Sequence, residues 1–183
     1  MNFNNFDFIV APEHDSITGE NVITTKGAIH YLTEIEITKN KDYLSSFIKK
    51  DDRKICTLIL GGPTKYYDYS LKNLEIIFSI LSKFLKKNDF QLVVIPSMRT
   101  PKASIDYAME YFGESHTIID KVDKNAYLSA LSVSENLVIT CDSSSMISEA
   151  ALTGKPIYVA NLLPRKNDKR FQKFRKLFRE LNI

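Results

Sequence analysis

The residues best suited to chemistry lie in Thr140-Cys141-Asp142-Ser143-Ser144-Ser145, where an apolar run ends in hydroxyls and a helix-period segment begins. A helix presents unpaired N–H groups and the positive end of its dipole at its start, so such a turn suits an anion. Ser143, Ser144 and Ser145 would add hydroxyl donors to a diphosphate held there, with Asp142 at the turn itself. Glu149, more than a turn later, suits the paired hydroxyls of a ribose. The same residues also read as ordinary helix-start chemistry, with Asp142 or Ser143 as the cap and Glu149 as a first-turn acid.

Three further turns place polar groups after apolar runs. Gly61-Gly62-Pro63-Thr64-Lys65 combines two glycines, which allow close approach and positive φ, with a hydroxyl on Thr64 and a cation on Lys65 for phosphate. It matches neither the dinucleotide GxGxxG pattern nor the GxxxxGK[ST] loop, so hydride transfer and ATP hydrolysis lose their usual sequence support. Pro96-Ser97-Met98-Arg99-Thr100-Pro101 offers Ser97 and the guanidinium of Arg99, with Pro101 expected at the first position of a helix. Pro12-Glu13-His14-Asp15 offers His14 and Asp15 as an acid/base pair, or equally a turn with caps and salt bridges.

These turns need strands behind them. From Arg53 onward, short apolar runs alternate with helix-period segments, the mark of βαβ units. Strands are predicted at Lys54–Leu60, residues 90–95, Asn136–Thr140 and residues 156–160, with a weaker one at residues 116–119. Helices are predicted over residues 71–85, 103–112, 124–133 and 144–153, the last closed by Gly154. The expected fold is α/β, a doubly wound parallel sheet of Rossmann-like type whose ligands sit at the carboxyl ends of the strands. The turns at Gly61, Ser97 and Asp142 then share one edge. Residues 6–10 read as a separate strand, residues 21–25 and 29–32 as an extended crossing segment, and residues 39–52 as a polar linker. Residues 1–52 are therefore expected to be the tail of a preceding domain with its linker, and residues 53–183 the α/β domain.

Composition narrows the function classes. Hydrophobic residues at 44% against 26% charged describe a globular chain, and no apolar run approaches the roughly 18 residues of a membrane span. The N-terminus lacks the basic-then-apolar layout of a secretory signal, so a soluble, cytoplasmic protein is expected. Cys56 and Cys141 sit in apolar runs as reduced thiols would, and His14, His30 and His116 are scattered, so no metal site is expected. The net charge is +3, yet residues 165–180 hold eight Lys/Arg against Asp168 and Glu180, so the rest of the chain is mildly acidic. A general nucleic-acid binder would spread its basic face further. Phe171, Phe174, Leu177, Phe178 and Leu181 recur there at helical spacing. That stripe packs on the sheet or a neighbouring lobe, its basic residues merely solvated, or residues 165–182 make a peripheral contact with anionic membrane.

Taken in order, FDFIVAPEHD, NVITTKGAIH, LILGGPTKYY, VVIPSMRTP and ITCDSSSMISEAALTGKPIYV resemble the mitochondrial fission family named for elongated mitochondria, over nearly all 183 residues. Its bacterial members are described as glycosyltransferases of the two-lobed B type. The resemblance implies that residues from about 53 form the C-terminal lobe, which binds a nucleotide diphosphate sugar; that donor would be a substrate, and no cofactor is expected. Ser143, Ser144 and Ser145 would then face the diphosphate and Glu149 the ribose, with Gly61, Gly62, Thr64, Ser97 and Arg99 lining the cleft. It also implies an N-terminal acceptor lobe of which only the last part is expected here, the remainder lost or carried by another chain. The alternatives are a non-catalytic interaction protein and a nucleotide-sugar epimerase, which needs the same donor contacts.

Overall fold

The computed structural model describes residues 3–181, so the outermost residues of both expected domains and the last residue of the 165–182 segment lie outside it. Its strands are β1 (Ile9–Pro12), β2 (Val22–Thr25), β3 (Lys54–Leu60), β4 (Phe90–Pro96), β5 (Thr117–Ile118), β6 (Asn136–Thr140) and β7 (Ile157–Ala160). Its α-helices are α1 (Glu34–Lys39), α2 (Leu71–Asn88), α3 (Lys102–Phe112), α4 (Lys124–Val133), α5 (Ser144–Ala151) and α6 (Lys169–Glu180). Strands β3 to β7 form one parallel sheet in the order β5-β4-β3-β6-β7. Counted from the first strand of the unit, that is the doubly wound order in which the chain runs outward, returns to the centre and runs the other way.

Both faces of this sheet are covered, which is why its strands are written in Leu, Ile and Val without polar alternation. Cys56, Leu58 and Leu60 of β3 pack with Leu74, Phe78 and Leu81 of α2 and Ala108 and Phe112 of α3. Ile59 of β3 points the other way, into a second cluster with Leu128 and Leu131 of α4 and Ile147 and Ala150 of α5. Thr57 is the polar exception on that buried strand, and its hydroxyl lies 2.6 Å from that of Ser134, which in turn donates to the Ala130 carbonyl. Each hydroxyl is thereby satisfied away from water.

Several local expectations are corrected. Pro101 is not the first helical residue but the extended cap before α3 (φ −63, ψ 142), which carries the turn out of β4. The helix after the serine turn ends at Ala151, with Gly154 left-handed beyond it (φ 63). The linker-like segment 39–52 is strapped to the sheet. A short helical turn at Tyr43–Ser46 buries Leu44 completely, and the Leu44 N–H donates to Ser129 of α4 at 3.1 Å. The buried side chain of Gln91 receives the Lys49 N–H and donates toward the Lys49 and Arg53 carbonyls. Polar composition concealed this because one leucine and a few backbone bonds do the anchoring.

The C-terminal stripe is packed within the protein: Phe171, Phe174 and Phe178 of α6 are buried, while Leu181 is exposed. Nor are its basic residues merely solvated. Arg170 pairs with Asp15, Lys173 donates to the Glu13 carbonyl and to Ser16, Arg165 pairs with Asp68, and Arg175 with Asp168. Among the described residues no helix is long and apolar enough to cross a membrane.

Leu44 gives the direct test of the strap. Truncation of a fully buried leucine costs about 2–5 kcal/mol, so Leu44→Ala should lower the urea unfolding free energy by that amount. A tether that touches nothing would show no change.

Candidate functional site

The connections leaving β3 and β6 run to opposite faces, β3 to α2 and β6 to α5, so a crevice opens between their carboxyl ends. Gly61 and Gly62 follow β3, Asp142 and Ser143 follow β6, and Ser97 to Thr100 follow the neighbouring β4. The structure thus brings the three polar turns together at one edge.

Asp142 joins them. Its side chain has no exposure, and its Oδ2 accepts the Gly62 N–H at 3.0 Å and Arg99 Nη2 at 2.9 Å. Arg99 Nη1 reaches back to the Gly62 carbonyl at 3.2 Å, while the Arg99 side chain stays 42% exposed. Around this pair, the Gly61 N–H donates to Thr140 Oγ1 at 2.8 Å, and Thr100 Oγ1 lies within hydrogen-bond reach of the Leu60 and Gly61 carbonyls. The glycines are required for approach rather than for positive φ, which neither adopts. A Cβ at Gly61 would overlap the Asp142 carboxylate, and one at Gly62 would overlap the Arg99 carbonyl oxygen. The groups closing on the Gly-Gly turn are therefore this chain's own.

The remaining expected donors divide. Ser143 caps α5, its hydroxyl accepting the Met146 N–H at 3.4 Å, and Ser144 and Ser145 open the helix with no acceptor for their amides among the described bonds. Glu149 Oε2 accepts the Tyr127 hydroxyl of α4 at 2.6 Å. Burial, reinforced by the Glu149 charge, pushes the Tyr127 hydroxyl far above its ordinary range, so it remains a donor. Thr64 Oγ1 accepts the Tyr66 and Tyr67 amides, 3.1 Å each, and Ser97 Oγ accepts the Arg99 amide at 3.4 Å, so both hydroxyls shape turns. Lys65 is exposed, its ammonium 5.0 Å from the Tyr66 ring centre.

His14 and Asp15 sit apart from these turns, in a short helical turn (Glu13–Asp15) held by α6. The His14 ring lies edge-on to Phe174 at 4.8 Å, and Nε2 is 3.7 Å from Asp15, beyond hydrogen-bond reach. Burial holds the imidazole below the ordinary histidine range despite the Asp15 carboxylate. No described hydrogen bond or ion pair links the two residues to the Asp142 cluster. Nearer to it comes the segment after β2, where the Ala28 N–H donates to Ser148 Oγ of α5 at 2.9 Å. Among the described residues no cluster of His, Cys, Asp or Glu could hold a metal. Cys56 and Cys141 are buried free thiols, and burial pushes that of Cys56 up to about 12.

Sequence reasoning quoted Thr140 and Thr100 in their turns without a role for either, and it missed Tyr127 and Ser148. Thr140 and Thr100 could have been found as hydroxyls flanking strand ends. Tyr127 and Ser148 carry no such signal, since each is defined by a partner on another element.

The Asp142 overlap is open to a double-mutant cycle. Gly61→Ala should cost about 1–3 kcal/mol by overpacking, and in an Asp142→Ala background most of that cost should vanish. Additive losses would place the clash elsewhere.

The profile of the family described as Mitochondrial fission ELM1 matches residues 1–183. Among curated proteins, the chain is 27% identical over 158 residues to "Uncharacterized protein RP120" of Rickettsia prowazekii, covering 80% of this chain and 42% of that protein. It is 23% identical over 181 residues to "Mitochondrial fission protein ELM1" of Arabidopsis thaliana, covering 85% and 42%. The chain thus spans about half the length of the curated relatives it matches. Among solved structures it is similar to UDP-GlcNAc 2-epimerase of Methanocaldococcus jannaschii, a protein described in complex with UDP-GlcNAc and UDP. There the TM-score is 0.50 at 15% identity, covering 90% of this chain and 50% of that one, a likeness of fold. Matched by its profile from end to end, the chain belongs to the Mitochondrial fission ELM1 family.

Proposed function

We propose that the crevice between β3 and β6 holds the diphosphate of a nucleotide sugar, and that the chain is the donor-binding lobe of a two-lobed glycosyltransferase. The observation that carries this reading is the convergence at one sheet edge of Arg99 with the free amides and hydroxyls that open α5. Oriented N–H groups and a guanidinium there would stabilise a departing diphosphate without a metal. Among the described residues Glu149 is held through Oε2 alone, which leaves Oε1 for ribose hydroxyls. The fold neighbour described with UDP-GlcNAc fits this class of ligand.

The two-stranded parallel sheet of β1 and β2 supports the two-lobed part of the reading. Parallel sheets are ordinarily covered on both faces, yet Phe8, Val10 and Ile23 are exposed here. A second lobe would continue and cover that sheet.

A non-catalytic reading has one specific observation behind it: Asp142 already neutralises the guanidinium that would meet the phosphate. Titration calorimetry with UDP-sugars, GDP-sugars and the free diphosphates decides between them. Saturable binding supports the donor lobe, whereas no heat from any of them leaves the interaction protein.

Glu149 sharpens the test. Glu149→Ala alone would orphan the Tyr127 hydroxyl and lower stability, so it is best made with Tyr127→Phe, which removes both partners. The double variant should lose about 1–3 kcal/mol of nucleotide affinity with little change in melting temperature, while Tyr127→Phe alone keeps its affinity. Unchanged affinity in the double variant would remove Glu149 from the site.

A further inference from the structure

The main sheet ends at β7, whose outer edge no other strand covers among the described residues. In the β6–β7 ladder the amides of Leu137 and Cys141 donate to the carbonyls of Pro156 and Ala160, both at 3.0 Å. In a parallel ladder that phase turns the amides and carbonyls of Ile157 and Val159 away from β6 and off the sheet. Two cavities flank this edge, and both are bordered by Tyr158, Val159 and Asn161. One, about 350 Å³, is walled by Ile76, Ile80 and Phe84 of α2, with Ile80 65% exposed. The other, about 230 Å³, lies on the opposite face against Phe178, Arg175 and Arg179 of α6.

We propose that β7 accepts a sixth strand from a partner protein, an extended segment that is apolar at alternate positions and carries an acidic side chain facing α6. Strand addition would satisfy the backbone groups of Ile157 and Val159. A strand sends successive side chains to opposite faces, and here each face of the same edge has a cavity to receive them. Charge selects the partner. Arg175 is committed to Tyr67 and Asp168, but Arg179 is exposed and forms no ion pair among the described residues. A second copy is the poorer occupant: antiparallel pairing of β7 with itself would set two basic α6 faces side by side, and Ile157–Ala160 contains no acid.

The test uses the full chain and a short labelled peptide alternating valine and threonine around one central glutamate, together with its lysine counterpart. Fluorescence anisotropy should show saturable binding of the glutamate peptide, and hydrogen exchange at the Ile157 and Val159 amides should slow on its addition. Ile80→Asp, on an exposed position, should weaken binding about tenfold. Arg179→Glu should weaken the glutamate peptide about threefold and favour the lysine peptide by a similar factor. Absence of saturable binding, binding indifferent to both substitutions, or unchanged exchange at β7 overturns the proposal. So does a concentration-dependent dimer in sedimentation that Ile80→Asp abolishes, which would give the edge to a second copy.

Discussion

A carboxylate removed from water costs several kcal/mol unless N–H groups and a cation meet it, and losing one of those partners is correspondingly expensive. Asp142 is such a group: Oδ2 is held by the Gly62 amide and Arg99, while Oδ1 is buried with no hydrogen-bond partner among the described residues. Its needs order the end of the sheet. The ladders align β3, β4 and β6 only as far as Leu60, Pro96 and Thr140, and Asp142 carries that order into the turns beyond. It leaves no room for a side chain at Gly61, and the Arg99 main chain leaves none at Gly62. Arg99 is in turn fixed by the Gly62 carbonyl and the carboxylate, with further N–H donors uncommitted among the described residues.

Helix α6 supplies the other constraint, because it joins parts that the sheet alone does not. Phe171 packs in the cluster under α2, whereas Phe174 and Phe178 pack in the cluster with α5. A polar pin fixes the helix start: the Tyr67 hydroxyl donates to Asp168 at 2.6 Å, and Arg175 donates to both. Burial works to raise the Asp168 carboxyl, but the hydrogen bonds from Tyr67, Arg175 and Gln172 outweigh it and hold the group below the usual carboxylate range. From the same helix Arg170 and Lys173 hold the Glu13–Asp15 turn. His14 is therefore embedded beside Phe174 by the contacts that attach the small β1–β2 sheet to the main one.

The main sheet was legible in the sequence because strands buried on both faces must be apolar throughout, and Gly61-Gly62, Pro96-Ser97 and Cys141-Asp142 punctuate their ends. Even the two-residue β5 falls inside its expected span. The location of the polar turns at one edge followed from parallel topology, since every strand then points its carboxyl end the same way. What stayed hidden were pairings made in three dimensions. Asp142 and Arg99 are 43 residues apart and carry no local mark of their bond. Leu44 lies in a stretch so polar that burial of one side chain does not alter its pattern. The glycines were recognisable as close-approach residues, but the sequence could not tell whether a ligand or a carboxylate of the same chain would do the approaching.

That distinction bears on how the crevice would hold an anion. A phosphate site built on unpaired Lys and Arg draws its ligand by net charge, and its affinity falls steeply as salt screens the field. Here the crevice guanidinium already has its counter-ion, buried where salt screens it little. A diphosphate would gain little from net charge and would rely on hydrogen bonds from the Ser144 and Ser145 amides, their hydroxyls and the spare donors of Arg99. Such bonds depend on orientation rather than on the long-range field. The rigidity that Asp142 imposes on the turns is then what such a site would most need, because N–H groups held in place lose no entropy when the ligand arrives.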